Sequence, residues 1–408
     1  MNTNDHDTFL MSGNEAIARG AYEAGAWMGV GYPGTPSTET LESFSSYEDI
    51  YAEWAPNEKV AVEVAIGACM GGVRSFCTMK HVGVNVAADP IFTSAYTGVN
   101  AGMVILAADD PGIYSSQNEQ DSHFYALATR IPMLDPSDSQ EAHDFMKEAF
   151  ELSERFDTPF FIRSSVRISH TKSNVACGPR VEVEQKTYEK NPGKWVMMPA
   201  NAKKRRKDAD ARHEQLVEFA EGCELNREEY RDTSIGIICT GAVYEYVREA
   251  LPDASTFKLG LSYPLPPQRL AAFAARCDTV YVIEEASTYL SQQVTAAGVQ
   301  TDQFVRPLPP DDEMTPRIIR ESFGLPVPDY LEFDGTIPPR PPAMCPGCPH
   351  RLVYNELHRL KAIVTGDIGC YTLGALPPLS AVDSCVDMGA SFSMAHGLEL
   401  AKEHLVEG

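Results

Sequence analysis

Short apolar segments that alternate with helical segments are the feature that most restricts the fold of this chain. Up to about residue 170, strands are predicted at Trp27–Tyr32, Arg74–Met79, Met103–Ala107 and Pro159–Arg163. Helical periodicity occupies the intervals, as over Ser139–Phe156. Strands that are joined through helices run parallel and are covered by helices on both faces. The sequence therefore predicts an α/β fold built on a mostly parallel sheet.

Two helix starts in this region are marked by residue type. Ser12 stands three residues before Glu15, which is the pattern of a capping box and predicts a helix through Ala24. Thr35 is predicted to cap a second helix, because a hydroxyl suits the N-cap and Pro36 suits the first helical position.

Three α/β segments separated by linkers are predicted for the whole chain. Strands and helices alternate again from Ile235, and a proline-rich stretch over 307–342 precedes Cys345. The last segment is expected to be incomplete, because it is too short for a doubly wound domain. The predicted boundaries are 1–172 for the first segment, 173–232 for a linker, 233–335 for the second segment and 343–408 for the third.

The charge balance limits the possible partners. With 34 Lys and Arg against 57 Asp and Glu, the net charge of −23 repels phosphate backbones and argues against nucleic-acid binding. One basic run, Lys203–Lys207, is followed at once by acidic residues, so it is interpreted as part of a solvated linker helix. No apolar run approaches the roughly 18 residues of a membrane span, and the polar, acidic N-terminus is not a signal peptide. A cytoplasmic protein whose ten cysteines are reduced thiols or ligands is expected.

Two local sequences have both an ordinary and a functional interpretation. The segment GYPGTPSTE predicts a strand, a turn and a helix, where free N–H groups and the Thr35 hydroxyl could hold an anion or simply form a helix cap. Glu58 begins a predicted helix at Asn57–Met70, where a carboxylate is favourable toward the helix dipole without any further role.

A single CxxC pair, Cys345 and Cys348, leaves its role open. A zinc or iron–sulfur site normally needs two more ligands, and Cys370 and Cys385 lack the second close pair. The alternative is a pair of thiols in a turn before a helix. No metal ligand is assigned on this pattern.

Taken together, the motifs of this chain resemble the α subunits of indolepyruvate ferredoxin oxidoreductase, within the thiamine-diphosphate-dependent 2-oxoacid:ferredoxin oxidoreductase family. The resemblance runs from about Gly13 to the end of the chain, in the family's order. The motifs are GYPGTPS (31–37), EWxxNEKVAxEVAIGA (53–68), TMKHVGxNVAxDP (78–90), ADDPG (108–112), SSQNEQD (115–121), LDPS (134–137), CPGCPHR (345–351), GDIGCYTLGALPPL (366–379) and MGAS..MAHG (388–397).

The resemblance implies roles for particular domains and residues. It implies a pyrimidine-binding domain at 1–172, a transketolase-C-like domain at 233–335 and the first part of a diphosphate-binding domain at 343–408. Glu58 matches the catalytic glutamate that contacts the cofactor's aminopyrimidine nitrogen. The residues implied to face the substrate are Thr35, Lys80 and His81, and those implied for the diphosphate half are Asp367, Gly369, Cys370, Gly389, Ala390 and Ser391.

The resemblance also implies an activity, cofactors and partners. The expected reaction is oxidative decarboxylation of an aryl 2-oxoacid, indolepyruvate foremost, to an acyl-CoA in the amino-acid catabolism of an anaerobe. The expected cofactors are thiamine diphosphate with Mg²⁺, whose ligands are expected beyond residue 408, and [4Fe–4S] clusters in a further C-terminal part. The expected partners are a small β subunit, ferredoxin and coenzyme A, in an oligomer. A non-redox thiamine-diphosphate decarboxylase, or a non-catalytic remnant that only associates with a partner, are the alternatives.

Overall fold

The computed structural model describes residues 7–301, 303–305, 313–328, 335–336, 338 and 342–406. These residues divide into two compact units, with the boundary between Val327 and Pro328. Unit 1 precedes that boundary and unit 2 follows it. The proline-rich stretch predicted as a second linker lies partly outside the described residues. Among the helices that the structure describes, none combines the length and apolar character of a membrane crossing.

Unit 1 contains most of the secondary structure. Its described strands are β1 (Asp7–Ser12), β2 (Met28–Gly31), β3 (Tyr51–Trp54), β4 (Ser75–Lys80), β5 (Met103–Asp109), β6 (Met133–Leu134), β7 (Phe160–Ser165), β8 (Lys172–Cys177), β9 (Arg227–Glu229), β10 (Asp232–Thr240), β11 (Ala254–Leu259), β12 (Leu261–Tyr263), β13 (Thr279–Ile283) and β14 (Gln303–Val305). Its described helices are α1 (Gly13–Glu23), α2 (Thr38–Phe44), α3 (Glu58–Met70), α4 (His81–Val86), α5 (Ala88–Thr97), α6 (His123–Thr129), α7 (Ser139–Phe156), α8 (Val166–His170), α9 (Pro192–Trp195), α10 (Pro199–Gly222), α11 (Val243–Ala250), α12 (Pro267–Ala274), α13 (Tyr289–Ala296) and α14 (Pro316–Ser322).

The first sheet has seven strands in the order β12-β6-β7-β5-β4-β2-β3. All neighbouring pairs are parallel except β12 with β6. One face packs against α1 and α7 through buried residues such as Ile17 and Phe150, and the other packs against α3 and α5 through Val62 and Ile91. The predicted α/β architecture, with helices on both faces of a mostly parallel sheet, is confirmed.

A second sheet in unit 1 has the order β14-β13-β10-β11-β9. The chain passes from this sheet to the first one at Gly260, because β12 pairs with β6 and not with β11. Asn226 Oδ1 accepts the N–H groups of Gly260 and Leu261 at 3.0 and 2.9 Å, which holds the break. The apolar residues around Gly260 therefore belong to two strands in different sheets. Residues 7–327 form one compact unit, and the proposed domain boundaries within them stay a prediction.

The basic segment at residues 203–207 lies at the start of α10 and contacts α5. Arg205 Nε donates to the carbonyl of Tyr96 at 2.7 Å, and its Nη2 donates to the carbonyl of Thr97 at 3.1 Å. Carbonyls at the end of a helix lack intrahelical partners, so a guanidinium stabilises them. Farther along α10, Leu216 is buried in the core. The prediction of a solvated helix is therefore wrong for this face of α10.

Unit 2 is a small α/β arrangement. Its described elements are α15 (Pro349–Leu360), β15 (Thr365–Gly366), a 3₁₀ helix (Cys370–Ala375), β16 (Ser384–Cys385) and α16 (Ala390–Val406). The two short strands are parallel. A cluster of Met344, Tyr354, Leu379 and Ala381 forms its buried core.

Candidate functional site

The motif that follows β2 lies beside the motif that ends β4. The two strands are adjacent and parallel, with Gly31 opposite Thr78. The segments that follow them therefore leave the sheet at the same edge. Gly34 approaches Lys80 closely enough that a Cβ on the glycine would lie 3.1 Å from Lys80 Cβ. The carboxyl edge of a parallel sheet is the usual location of a binding site in such folds.

Thr35 does not cap a helix, so that prediction is wrong. Helix α2 begins at Thr38, two residues later than the predicted first helical position, Pro36. The turn is held instead by Thr38 Oγ1, which accepts the N–H of Gly34 at 2.9 Å, and by Ser37 Oγ, which donates to the Gly34 carbonyl at 2.9 Å. Thr35 is exposed, and no described residue forms a hydrogen bond with its hydroxyl. Its hydroxyl is therefore available to a ligand.

Glu58 is held at the start of α3 and is half-buried. Asn57 caps this helix, since its Oδ1 accepts the N–H of Val60 at 3.0 Å. Burial raises the pKa of the Glu58 carboxyl. No side chain in the described ranges donates a hydrogen bond to this carboxylate, although the N–H of Glu58 itself does, and Gly83 of α4 lies against it. A half-buried carboxylate with so little hydrogen bonding is costly, and a ligand that donates a hydrogen bond would offset that cost.

Lys80 and His81 connect β4 to α4 and are both buried. Lys80 Nζ donates to the carbonyl of Ser115 at 2.7 Å. Burial lowers the pKa of Lys80, and the nearby Asp110 carboxylate opposes this shift. His81 Nε2 lies 3.2 Å from the carbonyl oxygen of Asn118, while its Nδ1 is buried and finds no partner among the described residues. Because Nε2 faces a carbonyl, Nε2 carries the proton and Nδ1 is an acceptor in the neutral ring.

Residues 110–121 contact the side chains of Lys80 and His81. Hydrogen bonds to Asp110 hold this segment together. Asp110 Oδ2 accepts the N–H of Ser115 at 2.9 Å and the hydroxyl of Ser116. Asp110 Oδ1 is buried, with no partner in the part of the chain that the structure describes. Sequence reasoning did not single out Gly83, Asp110 or the carbonyls that contact Lys80 and His81. A contact through a backbone carbonyl leaves no side-chain pattern that could predict it.

A buried cluster of charged residues lies at the ends of β5 and β7, and sequence reasoning missed it. Arg163 Nε donates to Asp109 Oδ2 at 2.7 Å, and its Nη1 lies 3.6 Å from Asp135 Oδ2. His123 bridges two carboxylates, with Nδ1 at 2.6 Å from Asp121 Oδ1 and Nε2 at 3.1 Å from Asp135 Oδ2. Burial opposes protonation of His123, but these carboxylates outweigh it and raise its pKa to about 9. The cluster packs the two sheets together and holds the segment that ends at residue 121.

Several of the residues predicted for the diphosphate half lie together in unit 2. Asp367 accepts hydrogen bonds from the Ser391 amide at 2.7 Å and the Ser391 hydroxyl at 2.8 Å. Burial would raise the pKa of Asp367, but these hydrogen bonds lower it. Ala390 begins α16, and Gly389 precedes it with a φ of 94°. Asp367 therefore lies at the N-terminus of α16, where free amide groups favour an anion.

The remaining predicted residues of unit 2 lie in loops and turns. Gly369, with a φ of 154°, precedes the 3₁₀ helix that starts at the exposed Cys370. The N–H of Cys348 donates to the carbonyl of Cys345 at 3.1 Å, and α15 follows directly, which confirms the predicted turn before a helix. Within the described residues these sulfurs form no group of three close ligands. Whether the pair binds a metal stays open.

Glu23, His143 and Cys177 are close enough to suggest a metal site, since one potential ligand atom of each lies within 4.8 Å of the others. The carboxylate of Glu23 already contacts Arg19 at 2.7 Å and Lys147 at 3.0 Å. Its Oε2 also lies 3.0 Å from His143 Nε2. Two cationic side chains on one carboxylate repel a metal ion, so the group is an ion-pair cluster.

The ion-pair cluster around Glu23 predicts how the free energy of unfolding depends on pH. Burial would raise the pKa of Glu23, but the nearby side chains of His143, Arg19 and Lys147 outweigh it and lower the pKa to about 2. A lowered pKa contributes stability above the unfolded value of 4.5, and this contribution disappears as pH falls toward 2. Glu23→Gln is therefore expected to lower the free energy of unfolding by about 1.5–3 kcal/mol at pH 6 and by much less near pH 2. Urea unfolding across this range measures the difference.

The exposed Glu42 provides the control for this acid-stability test. Glu42→Gln is expected to leave the free energy of unfolding nearly unchanged at every pH. A constant difference between Glu23→Gln and the wild type from pH 6 to pH 2 would contradict the assignment.

Thiamine diphosphate can be tested against these residues. Its aminopyrimidine ring needs a carboxylate partner in an environment that raises the carboxyl pKa, and Glu58 provides both. Gly83 has no side chain and so leaves room for the Glu58 side chain. In unit 2 the amide of Ser391 at the start of α16 is already bound by the Asp367 carboxylate. The residues of unit 1 therefore fit the aminopyrimidine part of the group.

Comparisons with known proteins identify the family of this chain. Residues 19–231 match the family described as pyruvate flavodoxin/ferredoxin oxidoreductase, thiamine diphosphate-binding. The chain is 39% identical to the indolepyruvate oxidoreductase subunit IorA of Methanothermobacter marburgensis, a match that covers 97% of this chain and 69% of the relative. It is 40% identical to the subunit of the same name from Thermococcus kodakarensis, over 96% of this chain and 66% of the relative.

The chain thus spans about two thirds of the length of these relatives. A solved structure of 2-oxoglutarate:ferredoxin oxidoreductase from Magnetococcus marinus has the same fold, with a TM-score of 0.65 and 17% identity. That similarity covers 78% of this chain and 65% of the solved chain. The family match over residues 19–231 and the identity with curated relatives over nearly the whole chain lead to one conclusion. This chain belongs to the thiamine-diphosphate-dependent 2-oxoacid:ferredoxin oxidoreductases, together with the indolepyruvate oxidoreductase subunits.

Proposed function

We propose that this chain is the thiamine-diphosphate-binding α subunit of an enzyme that oxidatively decarboxylates aryl 2-oxoacids, with indolepyruvate as the preferred substrate. The products are an acyl-CoA, carbon dioxide and reduced ferredoxin. The observation that carries this proposal is the half-buried Glu58 carboxylate, whose pKa is raised by burial and which receives no hydrogen bond from any side chain among the described residues. The names of the curated relatives support indolepyruvate as the substrate.

Each residue at the carboxyl edge of the first sheet receives a role in this proposal. When bound, thiamine diphosphate supplies the carbon nucleophile and the electron sink for decarboxylation. Glu58 holds a proton at the aminopyrimidine nitrogen, and burial, which raises its pKa, favours the protonated form that this exchange needs. The buried ammonium of Lys80 offsets the substrate carboxylate, and His81 offers Nδ1 as an acceptor. The hydroxyl of Thr35 donates a hydrogen bond to the substrate.

Unit 2 and the partners complete the proposal. The residues assigned to the diphosphate are those of the turn before the 3₁₀ helix and the start of α16, namely Asp367, Gly369, Cys370, Gly389, Ala390 and Ser391. Magnesium offsets the diphosphate charge, and [4Fe–4S] clusters carry electrons to ferredoxin. A small β subunit, coenzyme A and assembly into an oligomer belong to the same proposal, as does the division into pyrimidine-binding, transketolase-C-like and diphosphate-binding domains.

Substrate comparison tests the proposed function directly. The protein is isolated in its native assembly and is supplied with thiamine diphosphate, magnesium, coenzyme A and ferredoxin. Ferredoxin reduction is then followed with indolepyruvate, pyruvate or 2-oxoglutarate as the substrate. We expect kcat/KM to be highest with indolepyruvate. Carbon dioxide release without ferredoxin reduction would contradict the proposal and favour a non-redox decarboxylase.

Thr35→Val is expected to weaken the use of the 2-oxoacid while leaving the affinity for thiamine diphosphate nearly unchanged. A hydrogen bond to a charged group contributes about 1.5–3 kcal/mol, so kcat/KM should fall by about ten- to 150-fold. Steady-state kinetics and calorimetric titration of the cofactor measure the two effects.

Thr38→Val is the matched control, because Thr38 holds the turn through the N–H of Gly34. This control is expected to lower the free energy of unfolding, whereas Thr35→Val is not. Equal losses of cofactor affinity and substrate use in Thr35→Val would show that Thr35 supports the turn and not the substrate.

A further inference from the structure

The contact between Gly83 and Glu58 joins two motifs that are 25 positions apart in sequence. Gly83 is a buried residue of the short helix α4, and Glu58 is the first residue of α3. A Cβ added to Gly83 would lie 2.5 Å from Oε1, 2.6 Å from Cγ and 2.8 Å from Cδ of Glu58. The three atoms nearest to that Cβ therefore all belong to the Glu58 side chain. No other glycine in the described ranges is shown against the Glu58 carboxylate.

We propose that Gly83 is a positioning residue, which fixes the Glu58 carboxylate by allowing it to lie directly against the backbone of α4. This inference rests on the proposed function, in which Glu58 exchanges a proton with the cofactor. Any side chain at position 83 would occupy the space of the carboxylate. The specific role of Gly83 is thus to leave a space and not to form a turn, since it lies within a helix and is absent from the residues with positive φ.

The atoms that must move on substitution identify Glu58 as the affected group. Carbon and oxygen atoms that are not bonded do not approach to 2.5 Å, so an alanine at position 83 must displace something. The nearest atom is the end of a flexible side chain, which can rotate at small cost. Alanine also favours a helix relative to glycine. We therefore expect Gly83→Ala to fold normally and to move the carboxylate away from α4.

Displacement of the carboxylate has two measurable consequences. The Glu58 carboxylate no longer lies in position to accept a hydrogen bond from the cofactor. Loss of a hydrogen bond to a charged group lowers the affinity by about ten- to 150-fold. The carboxylate also moves toward solvent, which relieves the burial that raises its pKa. The affinity for thiamine diphosphate in Gly83→Ala should therefore fall, and its dependence on pH should shift toward lower pH.

Gly67 offers a matched control on the helix that carries Glu58. It lies within α3, and a Cβ on it would meet no atom within 4 Å. Gly67→Ala therefore gains the same helix preference without displacing a side chain. The affinity of the native assembly for thiamine diphosphate with magnesium is measured calorimetrically for the wild type, Gly67→Ala, Gly83→Ala and Glu58→Ala, and for the double variant Glu58→Ala with Gly83→Ala.

The proposal predicts a loss in affinity of about tenfold or more in Gly83→Ala and of less than about twofold in Gly67→Ala. In the Glu58→Ala background, Gly83→Ala should change the affinity by less than about twofold, because the displaced group is gone. Equal losses from Gly83→Ala in both backgrounds would overturn the proposal, since Gly83 would then act independently of Glu58.

Thermal unfolding without cofactor separates this inference from the proposed function. With Glu58 present, Gly83→Ala should raise Tm less than it does in the Glu58→Ala background, where no clash remains. An identical Tm shift in both backgrounds would overturn the positioning role. A third outcome concerns the proposed function. If the Tm shift of Gly83→Ala depends on Glu58 but Glu58→Ala leaves the affinity for thiamine diphosphate unchanged, the contact between Gly83 and Glu58 stands and the proposed function is overturned.

Discussion

Glu58→Gln is expected to reduce the turnover of the 2-oxoacid by roughly 100- to 10,000-fold while leaving the fold intact. Glutamine has nearly the same shape, so it fits against α4 as glutamate does. It cannot hold or release the proton that the aminopyrimidine nitrogen exchanges. Burial raises the pKa of Glu58, which makes its carboxyl group easier to protonate than an exposed one. Carbon dioxide release from indolepyruvate, at saturating cofactor, measures the effect.

Glu63 provides the control for this experiment. It lies on α3 like Glu58 but is exposed and forms an ion pair with Lys59 at 2.6 Å. Glu63→Gln is expected to retain nearly the wild-type turnover, because an exposed pair contributes little. If Glu58→Gln turned over within about threefold of the wild type, Glu58 would have no part in the chemistry.

Arg163→Met is expected to cost about 3–5 kcal/mol of the free energy of unfolding. The guanidinium is buried and lies between the carboxylates of Asp109 and Asp135. Its removal leaves the buried carboxylate of Asp109 without a cation and leaves Asp135 with His123 alone. Methionine preserves most of the volume, so the loss reports the charge and not a cavity. Urea unfolding at neutral pH measures this difference.

Two comparisons test the electrostatic explanation. Arg206 forms an exposed pair with Asp210, so Arg206→Met should cost less than about 1 kcal/mol. Burial would raise the pKa of Asp135, but the charge of Arg163 helps to lower it. The loss in Arg163→Met should therefore become smaller at low pH, where this carboxyl group is protonated. A loss in Arg163→Met as small as that in Arg206→Met would show that the cluster does not stabilise the fold.

Local signals in the sequence predicted the elements of the first sheet well. The capping box at Ser12 and Glu15 is present, and both of its hydrogen bonds form. Helix α7 has the predicted bounds, since its N-cap, Asp138, and its apolar spacing are encoded within a few residues. These features succeed because each depends on interactions between close neighbours along the chain.

Long-range pairing explains what the sequence did not predict. The antiparallel pair of β1 and β8 joins residues more than 150 positions apart, and nothing in either segment indicates its partner. The break at Gly260 depends on Asn226, which precedes it by 34 positions. The basic run was assigned to solvent because the carbonyls that Arg205 contacts belong to a distant helix.

The candidate site was predicted in part. The resemblance singled out Glu58, Lys80 and His81, and the structure places them on α3 and at the start of α4, beside the loop of Thr35. Their chemical roles stay predictions. The prediction that Thr35 caps the helix is wrong. The hydroxyl of Thr38, three positions later, accepts the N–H of Gly34 and holds the turn instead. Residue type alone does not decide between two hydroxyls in one turn.

The position of β12 at the edge of the first sheet has a consequence for biosynthesis. Strand β7 ends at Ser165, but the edge beyond β6 is covered only when Leu261–Tyr263 arrive from the later part of the chain. At typical rates of about 5–20 residues per second, the ribosome needs roughly 5–20 s to add these 98 or so residues. During that interval the nascent sheet has an uncovered edge, which is a template for pairing with other chains. Because β6 is only two residues long, this temporary edge is short, which limits such pairing until β12 has been made.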